Sequence, residues 1–316
     1  MTDAPMIGGV RRHWTEIPGG LRRRIEADLG APVAEAVTQP GGFSPGVAAR
    51  LLLADGRRAF VKAVGPTPNP DSPDLHRSEA RIARLLPADA PVPRLLASYG
   101  VDGWVALTFE DIDGHLPAQP WRAHELDLVL AAMTDLAESL TPSTVDVPTY
   151  ADRHAAAFTG WRTIVADGAL ADRIDDWSRR HLDTLAELEA TWEPLSAGTT
   201  LLHADLRADN ILLTDDRVVF VDWPWACTGA PWLDLLGMLP SVAMHGGPDP
   251  ETVFGTHPLS AAAPPEAVTA VLAAAAGFFI GNGILPPPPG LPMIREFQLA
   301  QGRVALDWLR VRTGWR

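Results

Sequence analysis

Between Thr200 and Val221, three short apolar runs (Thr200 to His203, Ile211 to Leu213 and Val218 to Val221) are split by polar turns. Runs this short and apolar read as strands closed by turns. The polar residues at their ends are therefore drawn together whatever the rest of the chain does. Those residues are His203, Asp205, Arg207 and Asn210, with Asp222 directly after the last run. The spacing is His-x-Asp, an Asn five residues beyond that Asp, and a further Asp twelve beyond the Asn. Asp and Asn also suit ordinary turns, but three of them in this pattern between apolar strands form a set that chemistry can use.

Upstream, the strongest hairpin signal in the chain is Asp55-Gly56 between the apolar runs Val47 to Leu53 and Arg58 to Val64. A glycine-rich turn, Pro40 to Gly46, precedes it. The second run carries Lys62, the one lysine against 25 arginines. Arginine bias costs little on a solvated surface, whereas a site needing a compact point charge cannot take a planar guanidinium as an equivalent. Four-residue spacing of Ile17, Leu21, Ile25 and Leu29 predicts a helix over Trp14 to Leu29. A helix is also expected over Leu75 to Leu86, bearing Glu79, and a strand over Trp104 to Phe109. After the acidic connector Glu110 to Gly114 the character changes. Residues 121–193 are dominated by helical spacing, and residues 230–316 read as helices interrupted by the proline-rich stretch 286–292. The expected division is a nucleotide-binding lobe at 1–110 and a mainly helical lobe at 111–316.

The chain has 316 residues and a formal net charge of −13, from 26 Lys+Arg against 39 Asp+Glu. An acidic surplus works against nucleic-acid binding and against anionic membranes. The single Cys227 excludes an internal disulfide framework and a cysteine-cluster zinc site. With no signal-like start, a cytoplasmic setting is expected. Ala267 to Leu285 is apolar enough to span a bilayer, but its Ala/Gly content, Asn282 and the prolines after it predict a core helix instead.

The His-x-Asp, Asn and Val-Asp-Trp elements at 203–223, in order after the glycine-rich turn and Lys62, resemble the catalytic and metal loops of the kinase-like superfamily. The form is closest to the aminoglycoside phosphotransferase family. That resemblance implies an α+β, protein-kinase-like two-lobe fold, with a small mixed-sheet N-lobe and a larger mainly helical C-lobe. It also implies an O-phosphotransferase using ATP, or GTP in its place, with Mg2+. On this reading Asp205 takes or orients the proton of the attacking hydroxyl, His203 holds the loop, and Arg207 reaches toward the γ-phosphate. Asn210 and Asp222 are the metal ligands, as magnesium needs one or two oxygen donors beside the phosphates. Gly42, Phe43, Ser44 and Gly46 would cover the phosphates. Lys62 would contact the α/β-phosphates and be held by Glu79, and Phe109 and Glu110 would offer backbone groups to adenine. Asp234 is expected either to cap a helix or to brace the catalytic loop.

Trp-Pro-Trp after Asp222 and the absence of an activation-loop ending favour a small acceptor over a protein. The resemblance points to antibiotic inactivation, with an aminoglycoside first. Acids at 110–113 and 172–193 are compatible with a cationic acceptor. Nucleoside, macrolide and peptide antibiotics, choline and homoserine stand as alternative acceptors, and a non-catalytic nucleotide-binding regulator as a further one. A monomer or homodimer is expected.

Overall fold

The hairpin predicted at Asp55-Gly56 is the centre of a five-stranded antiparallel sheet. The computed structural model describes residues 11–39, 45–67, 69–70, 72–288 and 291–316. Strands β1 (Val33–Thr38), β2 (Val47–Leu53), β3 (Arg58–Val64), β4 (Leu95–Val101) and β5 (Trp104–Glu110) lie in the order β1-β2-β3-β5-β4. Strand alternation divides β2 and β3 between two faces. Val47, Ala49, Leu51, Ala59, Val61 and Ala63 pack on Ile17, Leu21 and Ile25, while Ala48, Arg50, Phe60 and Lys62 face a cleft.

Helix α1 (Gly19–Leu29) starts later than periodicity predicts, because Pro18 holds Ile17 in an extended conformation (φ −65, ψ 137) and only a 3-10 turn, Trp14–Glu16, forms before it. Ile17, Leu21 and Ile25 are at most 1% exposed. Each contributes about 2 kcal/mol, so docking rather than intrinsic propensity holds a helix that begins with two glycines. Helix α2 (Ser72–Ala83) lies about three residues N-terminal to the expected span, with Pro73 tolerated in its first turn. Edge strands β1 and β4 were not predicted, their apolar alternation being broken by Glu35 and by Ser98 and Gly100.

Beyond β5 the chain is mainly helical, as expected. Helix α3 (Ala123–Ser139) is followed by short helices between Tyr150 and Leu195 and by longer ones at Leu233–Met244, Pro265–Gly283 and Ile294–Thr313. Pro265–Gly283 is long and apolar enough to cross a membrane, yet 67% of its most apolar stretch is buried inside the protein. A Cβ on Gly160 would lie 1.8 Å from the Gly277 carbonyl oxygen, so a neighbouring helix sits directly on its backbone. Two small hairpin-like ladders complete the fold: β6 (Thr200–Leu202) with β9 (Cys227–Gly229), and β7 (Ile211–Leu213) with β8 (Val218–Phe220). β9 was not predicted, since Cys-Thr-Gly carries no strand pattern. The connector is stitched to this part by a pair of backbone hydrogen bonds between His115 and Leu213 (2.9 and 2.8 Å).

Candidate active site

His203 follows directly on β6 and is fully buried. Its Nε2–H donates to the Val221 carbonyl (2.8 Å) and its Nδ1 accepts from the Asp205 amide (3.2 Å). Only the neutral Nε2–H tautomer fits both roles. Burial accordingly holds its pKa down at about 4. The ring also packs on Trp223, whose indole N–H is spent on the Phe220 carbonyl, so Trp223 is a core residue. Between His203 and Asp205, Ala204 sits at φ 63, a left-handed conformation that costs an alanine about 1–2 kcal/mol. Asp234 holds the turn: its two carboxylate oxygens accept the His203 and Ala204 amides, each at 2.8 Å. It lies inside the helix Leu233–Met244 rather than at its N-cap, so the bracing alternative is the one realised.

The turn brings Asp205, Arg207 and Asn210 together. Arg207 Nη1 bonds Asp205, and its Nε and Nη2 bond Asp209 (3.1 and 3.2 Å). The guanidinium is thus a clamp on two carboxylates instead of a group reaching outward, and Asp209 is a half-buried partner in that clamp. Enclosure pushes the Asp205 carboxyl up to about 7 against the opposing pull of Arg207. Asn210, in the turn Ala208–Asn210, donates its side-chain amide to the Asp205 carbonyl (2.8 Å), and its own carbonyl accepts from the Val221 amide (3.0 Å). The hairpin β7–β8 returns the chain to Asp222, which adopts φ 69. Two positive-φ residues in these facing turns mark where the fold accepts backbone strain at its polar centre.

The sheet supplies the other half. Lys62 Nζ donates to Glu79 on α2 and to Asp222, both at 2.7 Å. Burial disfavours the ammonium, but the two carboxylates outweigh it and keep Lys62 charged. Enclosure likewise works against the Asp222 anion, yet Lys62 holds its pKa down at about 2. Glu79, the more deeply buried of the two, is pushed upward by desolvation. Its helix neighbour Arg77 bonds Asp74 and Arg81 bonds the Asp146 carbonyl, so neither competes for it.

Part of this set lines one cavity of about 270 Å³; His203, Asp205, Arg207 and Asp234 lie behind its wall and do not line it. Its wall combines charged and polar groups, among them Lys62, Glu79, Asp209, Asn210 and Asp222, with the apolar Ala48, Phe60, Phe109, Ile112, Leu212 and Val221. A concave site lined by apolar side chains with a few placed polar groups suits a small ligand such as a nucleotide. Among the described residues no group of three or more His, Cys, Asp or Glu gathers into a metal cage. Asn210 and Asp222 each bring a side-chain oxygen to the cavity wall, the kind of donor magnesium takes in small number while it keeps its waters.

Several sequence expectations change here. Phe109 and Glu110 do line the cavity, but the Glu110 amide already donates to the Arg94 carbonyl (3.0 Å) and is not available to a base. The connector acids are not free for a cationic acceptor. Asp111 is clamped by Arg50 (2.7 Å) and Arg58 (2.9 Å), and Asp113 also meets Arg50. In the second acidic stretch Asp175 pairs with Arg310 and Glu189 with Arg162. Gly46 is required sterically, because a Cβ there would lie 2.4 Å from the Ala63 carbonyl oxygen. Gly42, Phe43 and Ser44 lie outside the described residues. Sequence reasoning did not find Arg11, Arg50 or Asp209 at the cavity; in a chain with 25 arginines, nothing in the local pattern separates those two arginines from the rest.

The model of the phosphotransferase enzyme family (APH) matches residues 40–271, which hold all of these groups except Arg11. Over 190 residues the chain is 30% identical to a homoserine kinase of Rhodospirillum rubrum, covering 56% of this chain and 55% of that one. Over 161 residues it is 30% identical to an aminoglycoside 3'-phosphotransferase of Streptomyces fradiae, covering 49% and 58%. The chain thus spans little more than half the length of the curated relatives it matches. Among solved structures, a thermostable mutant of aminoglycoside phosphotransferase APH(4)-Ia, in ternary complex with AMP-PNP and hygromycin B, superposes with a TM-score of 0.60 at 13% identity. It covers 94% of this chain and 98% of that one. At that identity the likeness establishes the kinase-like two-lobe α+β fold.

Proposed function

This chain belongs to the phosphotransferase enzyme family, and from that premise we propose that it transfers the γ-phosphoryl group of ATP to a hydroxyl group of a small molecule. The observation that carries the reading is the convergence of Lys62, Asp222 and Asn210 on the wall of one cavity, with Asp205 held on the adjoining turn. Phosphoryl transfer asks for positioning and charge neutralisation more than for covalent work. The apolar side chains of the wall take the adenine, and Lys62, oriented by Glu79, meets the α/β-phosphates. Asp222 and Asn210 would hold Mg2+, which supplies neutralisation of the phosphate oxygens. Asp205 accepts or orients the proton of the acceptor hydroxyl, a task suited to a carboxyl whose pKa is raised toward neutrality. Arg207 and Asp234 position it: one grips the side chain, the other fixes the turn that presents it. The sheet lobe, 1–110, holds the nucleotide, and 111–316 carries the loops and the acceptor surface. The setting proposed is the cytoplasm, where ATP is supplied.

For the acceptor we put a hydroxylated antibiotic such as an aminoglycoside first, with homoserine as the competing reading. Each rests on one curated relative at 30% identity. Charge does not separate them, because several of the acids that favoured a cationic acceptor, Asp111, Asp175 and Glu189 among them, are paired with arginines. The test is Mg-dependent ATP or GTP consumption by the purified protein against aminoglycosides, other hydroxylated antibiotics, homoserine and choline. Turnover confined to one class supports the reading and names the acceptor. Nucleotide binding without acceptor-dependent consumption across such a panel contradicts it.

A further inference from the structure

The cavity is also lined by a residue from outside the sheet and the loops. Arg11 lines it together with Lys62, Asp209 and Asp222. The segment bearing it is fixed at the next residue. Arg12 forms a parallel β-bridge with Val47, its amide donates to the Gly46 carbonyl (3.1 Å), and its guanidinium donates to the Thr67 carbonyl (3.3 Å). That guanidinium also lies 5.7 Å from the centre of the Trp104 ring, which packs on the α1 side of the sheet. Successive residues of extended backbone point to opposite faces, so anchoring Arg12 on the α1 side sends Arg11 into the cleft. The anchor point is Gly46, and Arg11 lines the cleft beside it.

Burial in the cleft works against the Arg11 charge, and Asp222 and Asp209 sustain it. Lys62 and Arg50 stand on the same wall, Lys62 between Glu79 and Asp222, and Arg50 on Asp111 through two bonds of 2.7 Å. A guanidinium on a wall that receives a triphosphate is an anion ligand by its chemistry. Its planar fork matches two phosphate oxygens at once.

We propose that Arg11, delivered by the segment that Arg12 bonds to Gly46 and Val47, is a phosphate-binding residue of the nucleotide site that contacts the β- or γ-phosphate. The inference rests on the nucleotide reading above and adds to it a ligand that lies outside the family-matched region. The test is calorimetric binding of Mg-ATP, Mg-ADP and AMP to the full chain and to its Arg11→Ala and Arg11→Lys variants. Losing a charge-assisted contact to phosphate is expected to weaken Mg-ATP binding about ten-fold or more. AMP affinity stays at the wild-type value, and Lys restores part of the loss. Unchanged Mg-ATP affinity in Arg11→Ala overturns the assignment. So does an equal loss for AMP and Mg-ATP, which would mark a structural effect. A wild-type chain that binds none of the three nucleotides removes the nucleotide reading itself, and this inference with it.

Discussion

Acidification perturbs His203 in a way that can be worked from its two hydrogen bonds. The ring donates from Nε2 to Val221 and accepts at Nδ1 from the Asp205 amide, so a second proton would set an N–H against an N–H inside a fully buried site. Its folded pKa of about 4 lies below the ordinary value of 6.5. For a group depressed in this way the unfolded chain binds the proton first. The contribution to stability is complete above pH 6.5 and is lost as pH falls toward 4. Between pH 7 and pH 5 the worked loss is about 2 kcal/mol for this residue. Other groups titrate in the same window, and Asp234, raised to about 6 by burial, works in the opposite direction. The quantity to measure is therefore the difference between wild type and His203→Gln in urea unfolding at the two pH values, with ring-nitrogen NMR reporting the His203 titration directly. The wild type should lose about 2 kcal/mol more than the variant, and the His203 ring should remain neutral at pH 5. A ring titrating near 6.5, with both proteins losing stability in parallel, would refute the reasoning.

Three other outcomes follow from the same geometry. Asp222→Ala should weaken Mg-dependent nucleotide binding by an order of magnitude or more, since it removes a metal ligand and one of the two partners of Lys62; equal affinity with and without the substitution counts against the ligand role. Lys62→Arg should lower kcat/KM at least ten-fold although charge is kept, because a longer forked group cannot occupy a point 2.7 Å from both Glu79 and Asp222; wild-type kinetics would show that charge alone matters. Gly46→Ala should destabilise the protein by about 1–3 kcal/mol, the overpacking range, given a 2.4 Å approach to the Ala63 carbonyl; an unchanged urea midpoint would mean the turn yields freely.

Where the chain repeats a strong period, or concentrates turn chemistry, the structure was legible in the sequence. The Asp55-Gly56 hairpin, the apolar runs at 200–221 and the uniqueness of Lys62 led to the right elements and to a lysine that does meet Glu79. Edge strands β1 and β4 were hidden because a strand with one free edge and a half-exposed face needs little apolar alternation. The start of α1 was misplaced because a single proline overrode a regular four-residue spacing. Electrostatic partnerships were the least readable: the acids of 110–113 look available on paper, and only the folded sheet shows Arg50 and Arg58 closing on Asp111. Arg11 and Asp209 belong to the same class, since which arginine meets which carboxylate is set by tertiary packing.

The central claim is that Asp205 serves a phosphoryl transfer for which the rest of the cleft holds the nucleotide. Its most direct test follows the γ-phosphate of labelled ATP onto a hydroxyl acceptor, with wild type and Asp205→Asn side by side and nucleotide affinity measured in both. The account predicts a phosphorylated small molecule with the wild type. For the variant it predicts a rate lower by about 10²–10⁴, the range for losing a positioned general base, at unchanged nucleotide affinity. Transfer by the variant at the wild-type rate would contradict it.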